Sequence, residues 1–347
     1  MDRRNFEEMR KKQMKMRAAY GDVLNRAVTI YEDATRYPIE KLLELIQLET
    51  QLTRGPEEGQ AAAKEKMIAA MDALKPLPNA RERVYLWPEG KMPVETEYTD
   101  NSDHRYDHEP DYNPYYLEML VPEWVTPRGA IVMVGGGTHT QGTVNEGIQV
   151  GTEFNALGYD YFILQCRPNG SPWNRKETAV DAARALRIIR SRAEEYRLDP
   201  NTIALLGFSN GGVTCDFCIE MFSGEQTVPA QFPDYVPDEL DQLPGGPDAY
   251  LCVYGARHAG TDYDYNGVVY PPSFFAVGRE DRAGWANLNL LYADLVERGV
   301  TVEVHTFPGN NHGGGGRKII DGVGNPNFDL WVTHADYFMR DVYAKKD

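Results

Sequence analysis

The chain has 347 residues, 42% of them hydrophobic and 25% charged, which is enough apolar content for one large α/β domain with an appendage. Its 52 acidic side chains against 36 basic ones leave a formal charge of −16, a field that repels phosphate backbones and anionic lipid. Nucleic-acid and membrane-surface roles are therefore disfavoured, whereas neutral substrates such as sugars are admitted.

Met1 to Lys12 carry charge throughout and contain no apolar signal-peptide core, and no apolar run is long enough to cross a bilayer. The four cysteines, Cys166, Cys215, Cys218 and Cys252, suit free thiols in a reducing compartment. These features predict a cytoplasmic protein. Residues 1–78 are rich in Glu, Lys, Met, Ala and Leu and read as helices, with breaks at Gly21-Asp22, at Tyr37-Pro38 and between Thr53 and Gly59. Leu42, Leu43, Leu45, Ile46 and Leu48 give one helix an apolar face, and Met67, Ile68, Met71 and Leu74 give another. Packing on the rest of the chain is the first expectation for these faces; a homo-oligomer through the same helices is the second.

Residues 79–347 form the second predicted domain. Arg83–Trp87 and Tyr115–Val121 read as its opening strands, around an acidic loop that holds His104 and His108. Two histidines four apart can bind metal on a helix, but the Asn, Asp and Pro around them make this a loop, where they read as solvated residues; no cofactor is expected. Strands and helices then alternate: strand Ala130–Val134, helix Asn145–Leu157, strand Tyr161–Leu164, helix Thr178–Tyr196, strand Ile203–Leu206 and helix Val213–Met221. Phe222–Pro247, with its prolines and acidic residues, reads as a long loop near the site. Strands Tyr250–Tyr254, Ser273–Val277 and Val302–Thr306 follow, with helices Leu288–Glu297 and Phe328–Tyr343. This alternation predicts a mostly parallel sheet with helices on both faces.

The chemistry centres on Gly207-Phe-Ser209-Asn-Gly211. A G-x-S-x-G pattern between a buried strand and a helix describes a sharp turn that lifts a serine hydroxyl above the sheet. A serine needs an imidazole to accept its proton, and in such folds the acid and then the histidine follow on later strand-end loops. Gly278-Arg-Glu-Asp281 and Pro308-Gly-Asn-Asn-His312 occupy those places. Asp281 is the preferred acid and Glu280 its competitor; His312 is the base. Oxyanion donors are expected from the N–H of Asn210 and from Gly136 or Gly137, in a glycine triplet that ends the strand before. Thr138, His139, Trp173 and His258 are candidates to line the pocket, and Tyr112, Tyr115, Tyr263 and Tyr265 are aromatic loop residues able to stack on sugar rings. Cys215-Asp-Phe-Cys218 matches C-x-x-C but has no second ligand pair nearby, which argues against metal or redox use.

Leu86-Trp-Pro-Glu-Gly90, the Gly135-Gly-Gly137 loop, Glu146-Gly147, Leu164-Gln-Cys-Arg167, the elbow and Pro247–Tyr254 together resemble the α/β-hydrolase superfamily of serine esterases. They are most similar to the branch of acetyl-xylan esterases and feruloyl-esterase-like enzymes, over roughly residues 82–345. The resemblance implies Ser209 as nucleophile, His312 as base, Asp281 as its orienting acid, and no metal. It also implies hydrolysis of short acyl esters, acetyl first, on oligosaccharides. The chain departs from the family at Asn210, Cys166 and Val134, which bears on substrate choice. Two other readings stand beside this one: a peptidase or amidase of prolyl-oligopeptidase type, which shares the residue order, and a non-catalytic binding or assembly module on a hydrolase fold.

Overall fold

The computed structural model describes residues 3–95, 113–137, 143–167, 175–256, 267–309, 312–315 and 327–345. Its strands are β1 (Val84–Tyr85), β2 (Tyr115–Met119), β3 (Ala130–Val134), β4 (Asp160–Gln165), β5 (Ile203–Phe208), β6 (Ala249–Val253), β7 (Ser273–Gly278) and β8 (Val302–Phe307). They form one sheet in the order β1-β2-β4-β3-β5-β6-β7-β8. β2 runs antiparallel to both neighbours, and every pairing from β4 to β8 is parallel. β3 and β5 are buried along their whole length, as expected of apolar runs covered on both faces. Register sets Val134 opposite Gly207 and Phe208 opposite Val253, so the C-terminal ends of β3, β5 and β6 emerge side by side.

The helices are α1 (Arg3–Glu32), α2 (Ile39–Arg54), α3 (Glu57–Ala73), α4 (Val150–Ala156), α5 (Arg175–Ser191), α6 (Ala193–Tyr196), α7 (Asn210–Phe222), α8 (Val228–Gln231), α9 (Arg282–Glu297) and α10 (Trp331–Ala344). Helices cover both faces of the sheet; α5 packs against α7, and α4 against α10. Two of the expected N-terminal breaks lie at prolines. Pro38 and Pro56 stand immediately before α2 and α3, where a missing N–H costs nothing, and each forces the residue ahead of it out of the helical region. The expected break at Gly21 does not occur: α1 runs through it, because one glycine costs a helix only about 1 kcal/mol.

Leu42, Leu45 and Leu52 of α2 and Met67 and Met71 of α3 join the same apolar cluster as the sheet. Each such side chain, fully buried, contributes roughly 1.5–3 kcal/mol. Polar contacts fasten the junction: the Tyr115 hydroxyl donates to the Glu32 carbonyl at 3.2 Å and Arg83 Nε to Asp33 Oδ1 at 2.6 Å.

Three further differences from the sequence reading have local causes. The helix expected from Asn145 begins as a π-helical stretch, Thr143–Gln149, before α4. The helix expected over Thr178–Tyr196 divides at Arg192 into α5 and α6, and the chain leaves α6 through Arg197 in the left-handed region at φ 59°. Within the stretch expected near the site, residues 238–248 are instead pinned along α5. Arg184 grips the Asp238 carboxylate with two bonds of 2.7 and 2.5 Å, and Arg187 Nε reaches the Leu243 carbonyl at 3.0 Å. Arg190 then holds the Pro244 carbonyl and Asp248, both at 2.8 Å, at the N-terminal edge of the sheet, opposite Ser209.

Candidate active site

Ser209 joins β5 to α7 with φ 50° and ψ −117°, a conformation that side-chain-bearing residues rarely adopt. The turn is this tight because backbone lies against backbone. A Cβ on Gly207 would sit 2.5 Å from the Gly212 Cα, and one on Gly211 only 2.1 Å from the Val134 carbonyl oxygen. The two glycines of the sequence pattern are thus steric requirements. The Ser209 N–H is held by the Val253 carbonyl at 3.1 Å, which aims the side chain out of the sheet edge.

His312 Nε2 lies 2.7 Å from Ser209 Oγ, and His312 Nδ1 lies 2.6 Å from Asp281 Oδ2. Asp281 is an acceptor, so the imidazole carries its proton on Nδ1 and turns a lone pair toward the serine hydroxyl. Asp281 is only 4% exposed, and its second oxygen takes the Gly284 N–H at 2.9 Å in the first turn of α9. The hydrogen bond that His312 donates to Asp281 raises the His312 pKa above the ordinary value; partial burial opposes this, and the charges of Asp281 and Glu146 reinforce it. Between the two carboxylates left open by the sequence, the histidine faces Asp281, while Glu280 lies 3.6 Å from Arg279.

The glycine loop after β3 is held from two directions. The Gly136 N–H donates to Glu146 Oε2 at 2.7 Å, so one of the two glycine amides expected to face an oxyanion is engaged by a carboxylate. The Asn210 side-chain amide donates to the Gly137 carbonyl at 2.6 Å, and Arg175 Nη1 donates to Asn210 Oδ1 at 2.6 Å. Asn210, a departure from the family's small residue, therefore ties the glycine loop to α5. Its main-chain N–H opens α7, where the helix dipole favours negative charge.

Tyr254 was not singled out from the sequence. It sits at the end of β6 with φ 42°, its ring centroid 5.3 Å from that of His312. Its hydroxyl donates to Glu146 Oε1 at 2.8 Å and accepts the Gly315 N–H at 2.9 Å. The available signal was positional: in a parallel sheet, the residue that ends the strand beside the nucleophile's faces the same crevice.

No family model matches the chain. It is 31% identical to the acetylxylan esterase of Xylanibacter ruminicola over 97 residues, 28% of this chain and 20% of that protein. It is 25% identical to endo-1,4-beta-xylanase B of Butyrivibrio fibrisolvens over 209 residues, 56% of this chain and 32% of that one. The chain thus spans between a fifth and a third of the length of the curated relatives it matches. Among solved structures, the acetyl ester-xyloside bifunctional hydrolase of Caldicellulosiruptor lactoaceticus superposes with a TM-score of 0.58 at 21% identity, over 76% of this chain and 96% of its own. The strand order, the reversed second strand and the serine after β5 accord with that likeness. The chain has the α/β-hydrolase fold.

Of the pocket residues expected from the sequence, Thr138, His139, Trp173 and His258 lie outside the described residues, as do His104, His108, Tyr112, Tyr263 and Tyr265. Tyr115 is described, but it is buried in β2 with its hydroxyl on Glu32, away from the serine. Cys215 and Cys218 are free and buried, and burial raises both thiols, that of Cys218 up to about 12, which suppresses the thiolate that metal or redox chemistry needs. Among the described residues, Glu303, His305 and His334 bring ligand atoms within 4.8 Å of one another. The two imidazoles are stacked, however, with centroids 4.1 Å apart and planes 21° from parallel. A metal about 2 Å from both nitrogens would have to lie in both ring planes, which stacked rings do not allow. No helix among the described residues is long and apolar enough to cross a membrane.

Proposed function

We propose that the protein is a serine carboxylesterase that removes short acyl groups, acetyl first, from carbohydrate esters. The observation that carries this reading is the unbroken hydrogen-bonded run from Ser209 through His312 to Asp281 at the C-terminal edge of the sheet. The partial likeness to an acetylxylan esterase directs the acyl group and the alcohol. His312 Nε2 takes the hydroxyl proton as Ser209 Oγ attacks the ester carbonyl, and Asp281 stabilises the resulting imidazolium. The main-chain N–H groups of Asn210 and Gly137 receive the oxyanion, since that of Gly136 is given to Glu146. The alcohol leaves with the proton from His312, and water resolves the acyl-enzyme by the same route.

Acetate release from acetylated xylo-oligosaccharides, measured for wild type and Ser209→Ala, tests this. Release that vanishes in the variant supports nucleophile and substrate class together. If the wild type releases nothing yet cleaves a simple aryl acetate, the carbohydrate assignment falls and the triad stands. Cleavage of aminoacyl-arylamides in preference to esters would mark a peptidase, and failure of Ser209 to react with a fluorophosphonate would mark a non-catalytic module.

A further inference from the structure

Glu146 is half-buried, and among the described residues it is the carboxylate besides Asp281 that bears on the charge of His312. Its two oxygens serve two different loops. Oε2 accepts the Gly136 N–H from the glycine loop, and Oε1 accepts the Tyr254 hydroxyl. The Tyr254 oxygen in turn accepts the N–H of Gly315, three residues beyond His312. The Gly315 carbonyl is taken by Trp331 Nε1 at 3.1 Å, so that peptide is anchored on both sides. Tyr254 keeps its unfavourable φ of 42° because its ring and its hydroxyl are both held here.

We propose that Glu146 is a positioning residue that couples the oxyanion loop to the histidine loop and adds a second negative charge to the site of the imidazole. This rests on the serine-esterase reading given above. Through Tyr254 it fixes the backbone that presents His312; through Gly136 it fixes the peptide next to Gly137. Among the described residues, the groups facing the pair are Asp281 from the β7–α9 turn, Ser209 from the elbow, Tyr254 just after β6, and Tyr161 of β4, whose hydroxyl donates to the Glu146 carbonyl at 2.8 Å. Loss of hydration raises the Glu146 pKa, while the bonds from Gly136 and Tyr254 and the charge of His312 favour its anion. As an anion it stabilises the imidazolium that forms when His312 takes the serine proton. A purely structural carboxylate would hold the loops without acting on that proton.

The test is a titration of the His312 ring followed by NMR in full-length Ser209→Ala protein, with and without Glu146→Gln. This readout needs no activity, so it stands even if the enzymatic reading fails. Glu146→Gln should move the His312 midpoint down by about half a pH unit or more, the effect of removing one charge from a half-solvated site. In the active protein, the acid limb of kcat/KM should move down with it. Tyr254→Phe keeps the charge and removes only the bridging hydroxyl. It should leave the midpoint within a few tenths of a unit and slow fluorophosphonate labelling of Ser209 several-fold. An unmoved midpoint in a folded Glu146→Gln protein overturns the electrostatic half of the proposal. Unchanged labelling in Tyr254→Phe overturns the coupling half, and that milder variant keeps the question open to test if Glu146→Gln does not fold.

Discussion

The C-terminal edge of the sheet and the three N-terminal helices are held by opposite kinds of constraint. At the edge, backbone meets backbone: a single methyl group on Gly211 would lie 2.1 Å from a carbonyl oxygen. In the helices, side chain meets side chain, and Leu42, Leu52 and Met67 are fully buried in a core shared with the sheet. The edge therefore has geometry it cannot change, and changes there fall on function. The helices have area that can be trimmed by degrees, and changes there fall on stability.

Replacements at the edge should show the larger effects. Ser209→Ala should lower kcat by about 10⁴-fold or more while the protein stays folded, checked by acetate release alongside circular dichroism. Asp281→Asn should lose on the order of 10⁴ in kcat, because the imidazole then loses the acceptor that fixes its tautomer. A loss below tenfold would point to Glu280 after all. The pH profile sharpens the contrast. His312 works as a base only when neutral, and its pKa is raised, so activity should begin to fall above the usual histidine range as pH drops. A rate that stays flat down to about pH 4, well under that range, would remove His312 from the mechanism.

In the helices the expected losses are thermodynamic. Met67→Ala or Leu42→Ala should cost about 2–5 kcal/mol in urea unfolding and leave kcat per folded molecule unchanged. If either instead lowered kcat with stability intact, the division between the two regions would fail. The smallest effect belongs to the surface of the same helices. Arg26 meets Asp72 at 2.7 Å with both side chains largely exposed, and Arg26→Ala should cost under about 1 kcal/mol.

The same contrast explains what the sequence disclosed. The elbow was legible because its two glycines and serine are dictated by collisions, and collisions leave a pattern in the residue types. Asp281 and His312 were legible from the order of strand-end loops, since a parallel sheet brings those ends together. The bridging roles of Glu146 and Tyr254 were not, although both lie in stretches that carry the resemblance, because nothing in their neighbourhoods separates a bridging acid or tyrosine from an ordinary helix-opening or strand-ending one. The course of residues 238–248 was hidden for a related reason. Its anchors, Arg184, Arg187 and Arg190, lie more than fifty residues earlier and look like the solvated face of a helix. Gly21 misled in the other direction, since a residue that commonly ends helices is carried through when neighbouring turns outweigh it.

The backbone of Ser209 has a further consequence. At φ 50° and ψ −117° every side-chain-bearing residue is strained, at a cost of order 1–3 kcal/mol, and glycine alone adopts that conformation freely. Ser209→Gly should therefore resist heat better than the working protein, by that amount less the freedom a glycine adds to the unfolded chain. A screen that rewards only survival at high temperature would select against the hydroxyl at this position. Any effort to harden the protein has to keep the proposed turnover in the selection, or it will recover a sturdier chain that lacks the Ser209 hydroxyl.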